Sequence, residues 1–138
     1  MTARASRSAL CDERGSTTAT VIVFPVVLLL LMLVLQFALA YHAKAVATAA
    51  AQDGNRAAQL AGGDRIAGEE EAIAVVTESA SSLLRDVRVD VEVAADGREV
   101  TTTVDADVVR LLPIPGLRLH VQASASGPTE TFRPEEQG

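Results

Sequence analysis

Residues 19–41 read ATVIVFPVVLLLLMLVLQFALAY, 23 positions without one charged side chain. Only Thr20 and Gln36 among them are clearly polar. A hydrocarbon core about 30 Å thick takes roughly 20 mostly apolar residues at about 1.5 Å each, so this run is long enough to cross a bilayer as one helix. A helix that is apolar around its whole circumference has no face to turn toward water, and lipid or closely packed helices are expected around it. A cleaved signal peptide is the competing reading, because Arg4, Arg7 and Arg14 precede the run and Ala38 and Ala40 are small. Signal cores are about 7–15 residues long and stop at a small-x-small site. Here the run is longer and passes straight into AYHAKAVATAAAQ, so a retained anchor is expected.

Around this segment, 138 residues leave room for one small domain of about 70–80 residues, a size at which surface outweighs core. Aromatic residues make up 3%, with no Trp, one Tyr and three Phe, so the domain has to build its core from Val, Leu, Ile and Ala. Residues 1–18 hold three Arg against Asp12 and Glu13, whereas residues 42–138 hold nine Lys/Arg against 16 Asp/Glu. An acidic C-terminal portion excludes nucleic acid as a partner, since phosphate binding needs clustered Lys and Arg. Arg4, Arg7 and Arg14 on one side against Lys44 and Arg56 on the other, together with the short N-terminal tail, place the N-terminus in the cytoplasm and the C-terminal head outside. Cys11 is the only cysteine, which rules out an intrachain disulfide. The apolar segment follows Cys11 instead of preceding it, so Cys11 is not a lipoprotein site but a reduced bystander.

Working outward, residues 1–18 form a cytoplasmic leader, polar and without periodicity. Ser16, Thr17 or Thr18 can cap the helix that follows. Pro25 removes one backbone hydrogen bond, which predicts a mild kink. Gln36 is an amide in hydrocarbon, expected either to bond across to another helix or to snorkel to the interface. Residues 42–61 continue as an Ala-rich helical extension, stopped by Gly62 and Gly63, with Asp53, Gly54 and Asn55 as an earlier alternative end. Ala43, Ala47 and Ala51 fall four apart, a small-xxx-small spacing that allows close approach of another helix.

A small α+β head is expected over residues 62–127. Glu69, Glu70 and Glu71 are placed in the first turn of a short amphipathic helix, where negative charge suits the helix dipole. Ile73, Val76, Ala80, Leu83 and Leu84 recur at helical spacing as its buried face. From Arg85 the period becomes two: Val87, Val89, Val91 and Val93 alternate with Arg88, Asp90 and Glu92. Asp96-Gly97 supplies a hairpin turn, and Val100, Thr102, Val104, Ala106 and Val108 resume the alternation. LLPIPG at 111–116 breaks it, and Leu117, Leu119, Val121, Ala123 and Ala125 form a third strand. Residues 128–138 read as a disordered tail. One helix packed on a three-stranded antiparallel sheet gives a two-layer α+β unit, pictured as a head on a helical stalk.

The material for catalysis is poor. His42 stands at the membrane boundary, His120 on the polar face of the last strand and Cys11 on the other side of the membrane. HExxH, CxxC, a phosphate-cradling glycine loop and a basic cleft are all missing. Three consecutive glutamates point in different directions around a helix, so Glu69–71 do not converge on a metal. The sequence therefore predicts no enzyme, no cofactor, no metal and no small-molecule substrate.

A short charged leader, Arg14-Gly15-Ser16, a hydrophobic helix with a proline about ten residues after the glycine, a long Ala-rich extension and a small β-rich tail ending in ASASGP together resemble the TadE-like family. These are minor pilins or pseudopilins of Tad/Flp pilus systems. The resemblance implies a pilin-like fold, membrane insertion of a precursor, cleavage between Gly15 and Ser16 by a prepilin peptidase on the cytoplasmic side, and a place in pilus assembly among other membrane-assembly subunits. Pro25, Gln36, Ala43, Ala47 and Ala51, read above from their own chemistry and spacing, are the expected helix-packing positions. Prepilins usually carry glutamate five residues after the cut, to pair with the freed amine of a neighbouring subunit in a low-dielectric filament. Thr20 stands there and has no charge. Either the chain is processed without that glutamate or it stays a bitopic component of the assembly machine. A different class of function is a membrane-anchored extracytoplasmic binding or sensory module unrelated to pili, with the acidic head as its recognition surface.

Overall fold

The computed structural model describes residues 13–60, 62–112, 115–116 and 118–129. Cys11 and the leader up to residue 12, and the tail from residue 130, lie outside them. Helix α1 runs Glu13–Leu60, α2 Arg65–Ala80, and strands β1 Leu84–Val93, β2 Glu99–Val108 and β3 His120–Pro128 follow. The strands pair in the order β1-β2-β3, antiparallel throughout. This is the expected α+β architecture, with β3 extending one residue beyond the expected end of the head.

α1 is helical through Pro25 and through Gly54. It contributes to two compact units, one ending at Leu35 and one beginning at Gln36. In the first, the side chains of residues 21–31 and 33–35 are exposed and that of Met32 is half-exposed, and this stretch lies in a helix long and apolar enough to cross a membrane.

The second unit contains more of the helix than the sequence predicts. Gln36, Ala43, Val46, Ala47, Ala50, Ala51, Asn55 and Ala58 are at most 7% exposed, and Gly54 is buried among them. From residue 43 onward they recur every three or four positions, the face of one helix. Most of that face joins one core with Val76, Val104, Ala106, Val108, Val121 and Ala123. Residues 36–60 are thus a layer of the head, not a stalk beneath it. The helix ends in a Schellman pair: Gly63 N–H donates to Ala58 O at 2.8 Å and Gly62 N–H to Gln59 O at 3.1 Å. Both glycines have positive φ, which suits a residue without a Cβ.

α2 starts at Arg65, capped by Asp64, whose Oδ1 accepts from Ile66 N–H at 2.9 Å. The glutamates 69–71 therefore fall one turn later than the sequence suggests. The buried stripe is Gly68, Ala72, Val76 and Ala80, while Ile73 is 45% exposed. Where α2 meets α1 the backbones nearly touch. A Cβ added at Gly54 would stand 2.6 Å from Gly68 O and 2.8 Å from the Ala72 Cβ, and one added at Gly68 would stand 2.9 Å from both the Ala58 Cβ and Gly54 O. Gly54-xxx-Ala58 on one helix faces Gly68-xxx-Ala72 on the other.

In the sheet, Val100, Thr102, Val104, Ala106 and Val108 are buried while Thr101, Thr103, Asp105 and Asp107 are half-exposed. The register slips between Arg85 and Arg88 in β1, where Asp86 has φ 50, a bulge at one edge. The Thr102 hydroxyl is buried without a hydrogen-bond partner. A buried unsatisfied hydroxyl costs about 1–3 kcal/mol, and an apolar group of the same shape avoids that cost. Thr102→Val is therefore expected to raise the stability of the detergent-solubilised chain by about 1 kcal/mol, read as a higher midpoint in thermal unfolding followed by circular dichroism.

Candidate functional site

Three polar groups on α1 tie it to the sheet, spaced along its length. At the start of the second unit, Gln36 Nε2 donates to Val109 O at 3.3 Å and Gln36 Oε1 accepts from Leu111 N–H at 2.7 Å. Both ends of this amide, 5% exposed, bond to the chain's own backbone just after β2. Those two bonds are made within the chain and not to a second helix. Midway, Lys44 Nζ donates to Gln122 O on β3. Near the far end, the Asn55 amide donates to Val100 O at 2.8 Å and accepts from Gly127 N–H at 3.3 Å and from Gln59 Nε2 at 2.6 Å. Each bond to a buried partner contributes about 0.5–1.5 kcal/mol, and more is lost when its partner is left unpaired. Together they fix which sheet residue faces which turn of α1.

The expected packing positions therefore divide. Pro25 lies in the exposed apolar stretch. Ala43, Ala47 and Ala51 are fully buried in the head's core, so what approaches them closely is this chain's own sheet and α2. The exposed Ala45 and Ala49 lie on the opposite side of the helix. Gly15 and Ser16 fall within the first turn of α1. Sequence reasoning missed Lys44, Asn55 and the Gly54–Gly68 crossing. The signal for the crossing was a glycine in each helix four residues before an alanine.

On the solvent face of the sheet, Asp107 on β2 stands opposite His120 on β3. His120 Nδ1 lies 3.1 Å from Asp107 Oδ1 and Nε2 3.2 Å from Asp105 Oδ1. A neutral imidazole donates from one nitrogen only, whereas the imidazolium donates from both. The hydrogen bonds to Asp107 and then Asp105 hold the His120 pKa above its ordinary value of 6.5. Arg88 faces Asp105 from β1, and Asp86 and Arg118 border the same shallow depression. With both ring nitrogens committed to carboxylates, His120 serves as a cross-strand clasp.

The sign of its pH dependence follows. A folded-state pKa above the unfolded one stabilises the fold fully below about pH 6.5, and that contribution is lost as pH rises through the higher folded value. An NMR titration of the His120 side chain in the full chain is expected to show a midpoint above 6.5. His120→Asn is expected to flatten the fall in unfolding temperature over that range.

Among the described residues no group of three or more His, Cys, Asp or Glu side chains is placed to hold a metal ion. One helix among the described residues, near the N-terminus, is long and apolar enough to cross a membrane, and the distal half of that helix belongs to the α+β head. Residues 19–56 match the family model described as TadE-like protein. That match covers the exposed apolar stretch and α1 as far as residue 56, one position past the Asn55 tie. No curated protein and no solved structure matches the chain.

Proposed function

We propose that this chain is a single-pass membrane protein that acts as a minor pilin or an assembly component of a Tad/Flp-type pilus or related secretion apparatus. The observation that carries the reading is the TadE-like match over residues 19–56, which overlaps the one helix among the described residues that is long and apolar enough to cross a membrane. The N-terminus is cytoplasmic and the head extracytoplasmic, as the three leader arginines favour. Its role is structural, not catalytic, and it acts without cofactor or small-molecule substrate. With Ala43, Ala47 and Ala51 covered inside the head, contacts to other membrane subunits fall to the exposed apolar stretch around Pro25 and to the outer surfaces of the head.

Two measurements test this. Affinity capture of the tagged full chain from membranes is expected to bring down the secretion ATPase or inner-membrane proteins of the pilus machine. Capture of none of them would favour the anchored binding module. Mass spectrometry of the membrane-extracted chain then separates the two forms of the proposal. A mature N-terminus at Ser16 means a processed pilin, and an intact leader means a resident assembly component, the form that Thr20 favours.

A further inference from the structure

The solvent face of the sheet sorts its charges toward its two ends. Read across the strands, its outward positions run Arg85, Asp107 and His120, then Arg88, Asp105 and Gln122, then Asp90, Thr103 and Ser124, then Glu92, Thr101 and Ser126. Glu99 lies further on, opposite Pro128. At the first end Arg85 and Arg88 are exposed, as is Arg118, two residues before His120. None of these three arginines has an ion-pair partner among the described residues. The carboxylates that the register sets opposite Arg85 and Arg88 are those of Asp107 and Asp105, and His120 holds both. Arg85 and Arg118 line one depression there.

The other end has the opposite sign. Glu92 and Glu99 are exposed and likewise make no ion pair among the described residues. Asp90 has only Arg65, at 3.9 Å, and these four side chains border one depression. Arg65 and Arg98 do not balance Asp90, Glu92, Asp96 and Glu99. The whole chain carries a net charge of −6, so copies repel on average, and the arginine end is where an acidic surface can be received. Unpaired charge of this kind penalises the meeting of like ends and favours that of unlike ends. One exposed ion pair contributes little, but three arginines facing two glutamates fix the direction of approach. A patch and its complement at opposite ends of one face make a heterologous contact, in which each copy added leaves a free end for the next.

We propose that a second copy of this chain docks head to tail on the first, the glutamate end of one sheet (Glu92, Glu99) entering the arginine end of the other (Arg85, Arg88, Arg118). The contact uses the head alone and does not rest on the pilus reading. The test follows self-association of the full chain in a neutral detergent by sedimentation velocity. At low salt the assembly is expected to grow with protein concentration beyond a dimer, and to shrink at 1 M salt, where charges are screened beyond about 3 Å. Arg88→Glu with Arg118→Glu, and separately Glu92→Arg with Glu99→Arg, are each expected to weaken association by about tenfold or more. An equal mixture of the two double variants is expected to recover it, since each supplies the end that the other has lost. Association that salt and both variants leave unchanged overturns the contact, and so does a loss that mixing does not repair. Capture of pilus proteins by a chain that stays monomeric here would overturn the head-to-tail contact and leave the proposed function standing.

Discussion

Gly68→Leu is expected to prevent the head from closing, and even Gly68→Ala to destabilise it. Helix propensity argues the other way, because alanine in a helix interior is favoured over glycine by about 1 kcal/mol. At this site, however, the new Cβ would stand 2.9 Å from Gly54 O and from the Ala58 Cβ, and neither can swing aside as the tip of a long side chain would. Overpacking a tight core costs about 1–3 kcal/mol for small additions, enough to reverse the propensity gain. Leucine adds three further carbons where α1 and α2 are already in backbone contact. Gly54→Ala meets Gly68 O at 2.6 Å and is expected to fall at least as far as Gly68→Ala. Thermal unfolding and protease resistance of the solubilised full chain would read the series. An alanine variant more stable than the wild type would refute the close crossing.

Leu30→Arg with Leu31→Arg is expected to release the chain from the membrane fraction. Both leucines are more than half exposed and sit mid-way along the charge-free run. An arginine at the centre of a membrane helix costs about 2.5–3.5 kcal/mol on the insertion scale, against a small gain for leucine, so the pair removes several kcal/mol from insertion. Alkaline extraction is the check: wild type stays in the pellet and the double variant leaves it. A double variant that still pellets as an integral protein would mean that the apolar run does not face lipid at that depth. A charge introduced by Gln52→Arg, exposed on the head's part of α1, is expected to be neutral in the same assay.

Much of the fold is legible in the residues because the chain changes period where the elements change. The switch at Arg85, the Asp96-Gly97 turn with Gly97 at φ 67 and the alternation of Val100 to Val108 specify the hairpin nearly to the residue, since a one-residue slip would turn the buried valines outward. The face of α1 was harder. Between residues 43 and 58 alanines lie on both sides, and the contrast that marks the outer one is carried by Lys44, Thr48, Gln52, Asp53 and Arg56, polar side chains that the membrane run draws attention away from. The polar residues that do decide it, Gln36 and Asn55, look like liabilities until their partners more than 40 positions downstream are known. In α2 the larger side chain misled: Ile73 seems the natural core residue, but helices that cross at glycine leave room only for Gly68 and Ala72. The glutamates 69–71 fell a turn late because Asp64 caps the helix and Arg65 opens it, four residues ahead of the first glutamate. The Asp107–His120 clasp depends on strand register, which single-strand patterning does not give.

Because α1 supplies a wall of the head, topology and folding cannot be separated in this chain. Ala47 and Ala123 share one core but leave the ribosome 76 residues apart, with the apolar segment emerging before either. On the reading that the apolar run crosses a bilayer, the helix is committed to the membrane while the surface that will cover its alanines has yet to be made. Everything after residue 36 must then arrive on one side of the bilayer before the core can close, so a fragment starting at Gly62 lacks the wall and a chain whose C-terminal strands are left behind has nothing to cover it.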